Sequence, residues 1–188
     1  MYGRNQHNTV KQLSYNLKKK KNEIGVINSS KSVVINADFF RTLDAENLRS
    51  GYAEMIKHGL ISNTEIWKHI LSFDLDNVDY NRLSELLLES ISVKEKVVEI
   101  DPTEKGLRKV LNFGHTVGHA FESYAMEIGK PVLHGYAVAW GMISELYLSY
   151  KLLGFPKETL STAVRMIKEN YGALPIKCDI YDHLYDLM

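Results

Sequence analysis

The chain has 188 residues, enough for one sizeable hydrophobic core. Its 23 Lys and Arg balance 23 Asp and Glu to a formal net charge of zero, so no global field favours nucleic acid or an anionic membrane surface. One cysteine, Cys178, excludes an internal disulfide framework, and no apolar run reaches the roughly 18 residues of a membrane span. With no apolar signal-like stretch at the start, the expected setting is cytoplasmic.

Residues 1–23 are polar and basic: Arg4, Lys11 and Lys18 to Lys21 stand against Glu23. This segment reads as a solvated terminus. "SVVIN" (32–36) is a β-branched run bounded by Ser and Asn, which predicts a strand. A lone strand is unstable in water, so it reads as the last strand of a larger unit. From Asp38 the pattern turns helical, with helix-start chemistry at Asp44 and again at Ser50. "NTEIWKHILSF" is a short helix opened by Asn63 or Thr64. "DYNRLSELLLESISVKEKVVEID" is a long one whose apolar positions recur at three and four residues. "KGLRKVLNFGHTVGHAFESYAM" is a fourth helix or a helix pair. "GYAVAWGMISELYLSYKLLG" is apolar nearly all round, which predicts the central buried helix. "KETLSTAVRMIKENYG" is amphipathic and stops at Gly172, and "DIYDHLYDLM" adds one more helix. The expected organisation is a strand-bearing remnant over 1–37 and a mainly α domain over 38–188.

Several polar residues break this pattern. Lys94 falls about 20° from Leu83 on the helical wheel, inside an apolar arc of about 140°. It either snorkels to the edge or points a cation into an interior site. In "LNFGHTVGHAFE" (111–122), Asn112, His115, His119 and Glu122 fall at i, i+3, i+7 and i+10, which predicts one polar stripe on a helix. Gly114 and Gly118 each cost a helix about 1 kcal/mol relative to alanine, a cost that suits close backbone approach. Histidines at i, i+4 can share a metal. His134 heads the buried helix, and Glu54 and Lys57 sit at i, i+3 on an otherwise apolar segment. They read either as an internal ion pair or as part of a carboxylate–imidazole metal set. Arg108, seven residues before His115 and on roughly the same helix face, suits a carboxylate or phosphate through its planar fork, or else pairs with Asp101 or Glu104.

Three blocks, "SGYAEMIKHGLI", "KEKVVEIDPTEKGLRKVLNFGHTVGHAFE" and "LHGYAVAWGM", resemble in order and spacing the signature segments of the 3-dehydroquinate synthase family, from about residue 21 to 188. The resemblance implies an all-α metal domain preceded by the tail of an NAD-binding α/β domain. It implies metal ligands Glu54, His115 and His134, for zinc or cobalt. His119 would serve in proton transfer and Lys57 would line the pocket. Lys94, Arg108, Asn112 and Asn22 would bind a phosphorylated sugar acid. Lys21 in "KNEIG", and Phe39, Phe40, Arg41 and Thr42 in "FFRT", would face NAD. The implied reaction converts a heptulosonate 7-phosphate to 3-dehydroquinate with loss of phosphate, and the implied assembly is a homodimer.

The departures set the limits of the resemblance. No glycine-rich dinucleotide fingerprint occurs, and "VKQLS" stands where the family carries "GGKTG". Tyr136 replaces the glutamate that usually follows "HG", and the chain stops before the family's "DKK" segment. These features predict that the chain alone turns over little or no substrate. Two other readings stand beside the first: a non-catalytic helical binding or oligomerisation module, and a sister sugar-phosphate cyclase with a different ring product.

Overall fold

The structure is a computed structural model that describes the backbone of residues 10–17, 20–29, 34–174 and 176–188, and the side chains from residue 34 onward among these. It divides into two compact units, 1–36 and 37–188. In the first, β1 (Val10–Leu17) pairs antiparallel with β2 (Lys20–Ser29), Val10 opposite Ser29 and Tyr15 opposite Ile24. A hairpin therefore lies where the composition predicts a solvated terminus. The strand expected over 32–36 is not formed at 34–36, which has no regular structure and leaves Val34 91% exposed. β-branched residues favour a strand only where a neighbour completes the ladder, and among the described residues none pairs with this run.

The second unit is helical. A 3-10 helix (Ala37–Thr42) leads to α1 (Ala45–Ile61), capped by Asp44, whose carboxylate accepts the Asn47 N–H at 2.8 Å. α2 (Thr64–Leu71) is capped by Asn63 and α3 (Tyr80–Ile100) by Asp79. Each cap supplies an acceptor to otherwise orphaned N–H groups. Ser50 is no helix start; it lies inside α1 and serves a different helix, described below. The expected fourth helix is two pieces: a 3-10 helix (Leu107–Asn112) and α4 (His115–Glu127). The break is Gly114, whose φ of +79° lies in the left-handed region that glycine alone enters cheaply.

α5 (His134–Leu153) packs against α1, α4 and α6 (Lys157–Tyr171), and α7 (Tyr181–Asp186) lies on α4. The core is built on α1, α3, α5 and α6, with Tyr52, Ile56, Leu86, Val138, Met142 and Ile167 almost fully enclosed. Each such aliphatic side chain contributes about 1.5–3 kcal/mol by leaving water. A smaller cluster of Val117, Ala120, Phe121, Ala137 and Leu184 joins α4, α5 and α7. α5 is central as expected, but only as far as Leu146: Tyr147, Leu148, Leu152 and Leu153 are exposed.

Small residues let these helices touch. A Cβ at Gly141 would stand 2.1 Å from Gly114 O, and one at Gly135 would stand 1.9 Å from Ser50 O. The first contact draws the start of α4 onto α5, and the second draws the start of α5 onto α1. The functional side chains sit at these two crossings.

Candidate metal and substrate site

Three elements each bring one donor to a common point. Glu54 projects from the middle of α1, His115 is the first residue of α4 and His134 the first of α5. Their ligand atoms all lie within 4.8 Å of one another. Local contacts explain why. The Gly135 N–H donates to Ser50 Oγ at 3.0 Å, so α1 caps the N-terminus of α5 one turn before Glu54. The Gly114 N–H donates to Glu145 Oε2 at 2.9 Å, so a carboxylate from α5 anchors the start of α4. Neither helix has a side-chain cap from its own N-cap residue.

The hydrogen bonding of His115 bears on what it can hold. Its Nδ1 lies 3.2 Å from Phe113 O, which can only accept, so Nδ1 carries the proton. In the neutral ring Nε2 then carries the lone pair, and it faces Glu54 Oε1 at 3.4 Å. Two acceptors so placed call for a cation between them. A tetrahedral ion with bonds of about 2.1 Å would set its ligands about 3.4 Å apart. The donor set of one carboxylate and two imidazoles, from three elements, therefore fits a divalent metal with a position left for substrate or water.

Cations surround this point. Lys57 is 2% exposed, and its Nζ lies 2.5 Å from Glu54 Oε2. Burial pushes the Lys94 ammonium down to about 8; Glu54 pulls it back up, while Lys57 and Arg108 push it further down. Lys94 is half-buried, within electrostatic reach of Glu54, Lys57 and Arg108. Arg108 is held by its own turn: its backbone N–H donates to Asp101 Oδ2 at 3.0 Å and its Nη1 to Pro102 O at 2.8 Å, with Glu104 at 3.9 Å. Asp101 also accepts from Gly106 at 2.7 Å, and these bonds hold its carboxyl below the usual range.

His119 stands on the open side, its ring 5.5 Å from His115 and 5.6 Å from His134. Glu122 places Oε2 at 3.2 Å from His134 Nδ1. Asn112 is not brought in. The break at Gly114 removes it from the α4 stripe, and its amide donates instead to Glu104 Oε1 at 2.8 Å. It lines a cavity of about 520 Å³ with Glu104, Lys109, Thr116 and Glu145, a lining that includes none of the three donors. Arg108 likewise does not share a helix face with His115, because the same break intervenes.

On the expected cofactor side, Phe39 is 73% exposed, Arg41 stacks over the Tyr80 ring at 4.6 Å, and Thr42 Oγ1 donates to Phe39 O. Phe40 packs against the main core. The side chains of Lys21 and Asn22 lie outside the described residues. Tyr136, the departure after "HG", joins an aromatic group with Trp140 and Tyr171, ring centroids 6.1 and 5.1 Å away. Ser50 and Glu145 carry no sign of their anchoring role in the sequence, because nothing local marks a side chain that caps a distant helix.

The family model of the 3-dehydroquinate synthase C-terminal domain matches residues 51–188. The chain belongs to the 3-dehydroquinate synthase family. It is 55% identical over 168 residues to a 3-dehydroquinate synthase of Parabacteroides distasonis, covering 89% of this chain and 48% of that protein. It is 42% identical over 136 residues to one of Bacillus pumilus, covering 71% and 37%. The chain thus spans about half the length, or less, of these curated relatives. Among solved structures it resembles a 2-deoxy-scyllo-inosose synthase bound to carbaglucose-6-phosphate, NAD+ and Co2+, with a TM-score of 0.75, 23% identity, and 94% and 49% coverage. It also resembles a 2-epi-5-epi-valiolone synthase of Streptomyces hygroscopicus with NAD+ and Zn2+ bound, with a TM-score of 0.74 and 21% identity. At these identities the solved structures establish the shared fold. Among the described residues, no helix is long and apolar enough to cross a membrane.

Proposed function

We propose that this chain supplies the metal- and substrate-binding half of an NAD- and metal-dependent cyclase. The reaction converts a heptulosonate 7-phosphate to 3-dehydroquinate with loss of phosphate. The convergence of Glu54, His115 and His134 within 4.8 Å, ringed by Lys57, Lys94 and Arg108, carries the reading. The relatives at 55% and 42% identity, both named 3-dehydroquinate synthases, support this substrate over that of a sister cyclase.

Glu54, His115 and His134 would hold zinc or cobalt, which supplies Lewis-acid polarisation of a substrate oxygen when bound. NAD, when bound, would supply hydride acceptance and return. The chain's own residues do the rest. Lys57 holds Glu54 in orientation from the buried side. Lys94 and Arg108 receive the anionic groups of the substrate, Lys94 as a point charge and Arg108 as a fork. His119, on the open side, would exchange a proton between Nε2 or Nδ1 and the departing phosphate. Asn112 would have to leave Glu104 to reach substrate. Phe39 to Thr42, with Lys21, would face the cofactor, and Asn22 the phosphate. A cytoplasmic homodimer completes the reading.

Calorimetry on metal-loaded protein tests the substrate class. The seven-carbon keto acid phosphate should bind at least tenfold more tightly than glucose 6-phosphate, which lacks the carboxylate. Lys94→Ala should erase most of that preference. Equal affinity for the two sugars, or preference for glucose 6-phosphate, would move the chain to a sister cyclase.

A further inference from the structure

Two donor triples overlap in this domain. Glu54, His115 and His134 form one, and His119, Glu122 and His134 form the other. His134 is common to both, yet one imidazole cannot give a lone pair to two ions unless it loses both ring protons. The second triple is also more open, since His119 is exposed. Glu122 sits three residues after His119 on α4, its side chain 15% exposed, with Oε2 at 3.2 Å from His134 Nδ1.

We infer that Glu122 is a positioning residue for the metal centre and not a ligand of a second ion. Accepting the Nδ1–H of His134, it selects the tautomer whose Nε2 lone pair remains for the ion shared with Glu54 and His115. Phe113 O performs the same task for His115 at the same 3.2 Å. Both histidines thus have Nδ1 tied to an acceptor, one a backbone carbonyl and one a carboxylate. A carboxylate behind a ligating imidazole fixes the ring's orientation and raises its basicity, and loss of such a partner lowers metal affinity by about 10–100-fold. The inference rests on the metal reading above.

The test has two arms. Co2+ is titrated against a competing chelator into the wild type, Glu122→Ala, Glu122→Gln and His115→Ala. The expected result is one ion per chain in the wild type and about 10–100-fold weaker binding with a shifted visible band in Glu122→Ala. Glu122→Gln, which keeps an acceptor, should recover part of both. His115→Ala should lose the ion altogether, so wild-type protein that holds no Co2+ counts against the metal reading itself. The second arm needs no metal: nitrogen NMR of His134 should show the Nδ1–H tautomer in the wild type and a shift toward Nε2–H in Glu122→Ala. Two ions per wild-type chain falling to one in Glu122→Ala would overturn the inference. So would unchanged affinity and spectrum in Glu122→Ala, or an unchanged His134 tautomer.

Discussion

Lys57 is a nearly enclosed ammonium, and Glu54, 2.5 Å away, is its counter-charge. Removing one member of such a pair strands the other in a low-dielectric interior, which costs about 3–5 kcal/mol. Glu54→Ala should therefore lower the unfolding free energy of metal-free protein by about that much, measured by urea denaturation. The double variant Glu54→Gln/Lys57→Met should recover most of it; a loss below about 1 kcal/mol in Glu54→Ala would show that the pair is effectively solvated. Lys94 makes a pH-dependent contribution of defined sign. Its folded pKa lies near 8, below the unfolded value, so the unfolded chain binds more protons above pH 8. Stability should rise between pH 8 and about 9.5, before tyrosine ionisation intervenes, and Lys94→Met should flatten the slope. Thermal midpoints across that window check it, and an equal slope in both proteins would contradict the assignment.

At the scale of elements, the glycines divide by what they touch. Gly141 and Gly135 stand where α5 meets the start of α4 and the second turn of α1, with no room for a methyl group. Gly141→Ala should destabilise by about 1–3 kcal/mol through overpacking and should loosen metal binding, because it moves His115 away from α5. Gly51 lies exposed within α1, and a Cβ there would meet nothing within 4 Å, so Gly51→Ala should stabilise by about 0.5–1 kcal/mol. Chemical denaturation of both variants distinguishes the two kinds of glycine. The close approach was legible in "GHTVGH", because two glycines in a helical segment need a reason. The break was not. A continuous helix would have kept Asn112 in line with His115, but a left-handed Gly114 sends Asn112 to Glu104 instead. Nor could local sequence show that Ser50 and Glu145 cap helices 85 and 31 residues away.

At the scale of the whole molecule, the helical unit was legible because its periodicity and capping residues agree along most of α1 to α6. The N-terminal unit was not, since a charged, lysine-rich stretch carries little strand signal, and a hairpin forms there all the same. The three donors are distant in the chain and meet only through the α1–α5 and α4–α5 crossings, so their geometry depends on the fold being right throughout. The most direct measurement is the metal content of purified protein after dialysis against buffer containing trace zinc. About one divalent ion per wild-type chain is expected, and a small fraction of that in His134→Ala, a variant whose half-exposed side chain leaves the core untouched. Wild-type protein that retains no ion, or a His134→Ala variant that retains as much as the wild type, would contradict the metal reading.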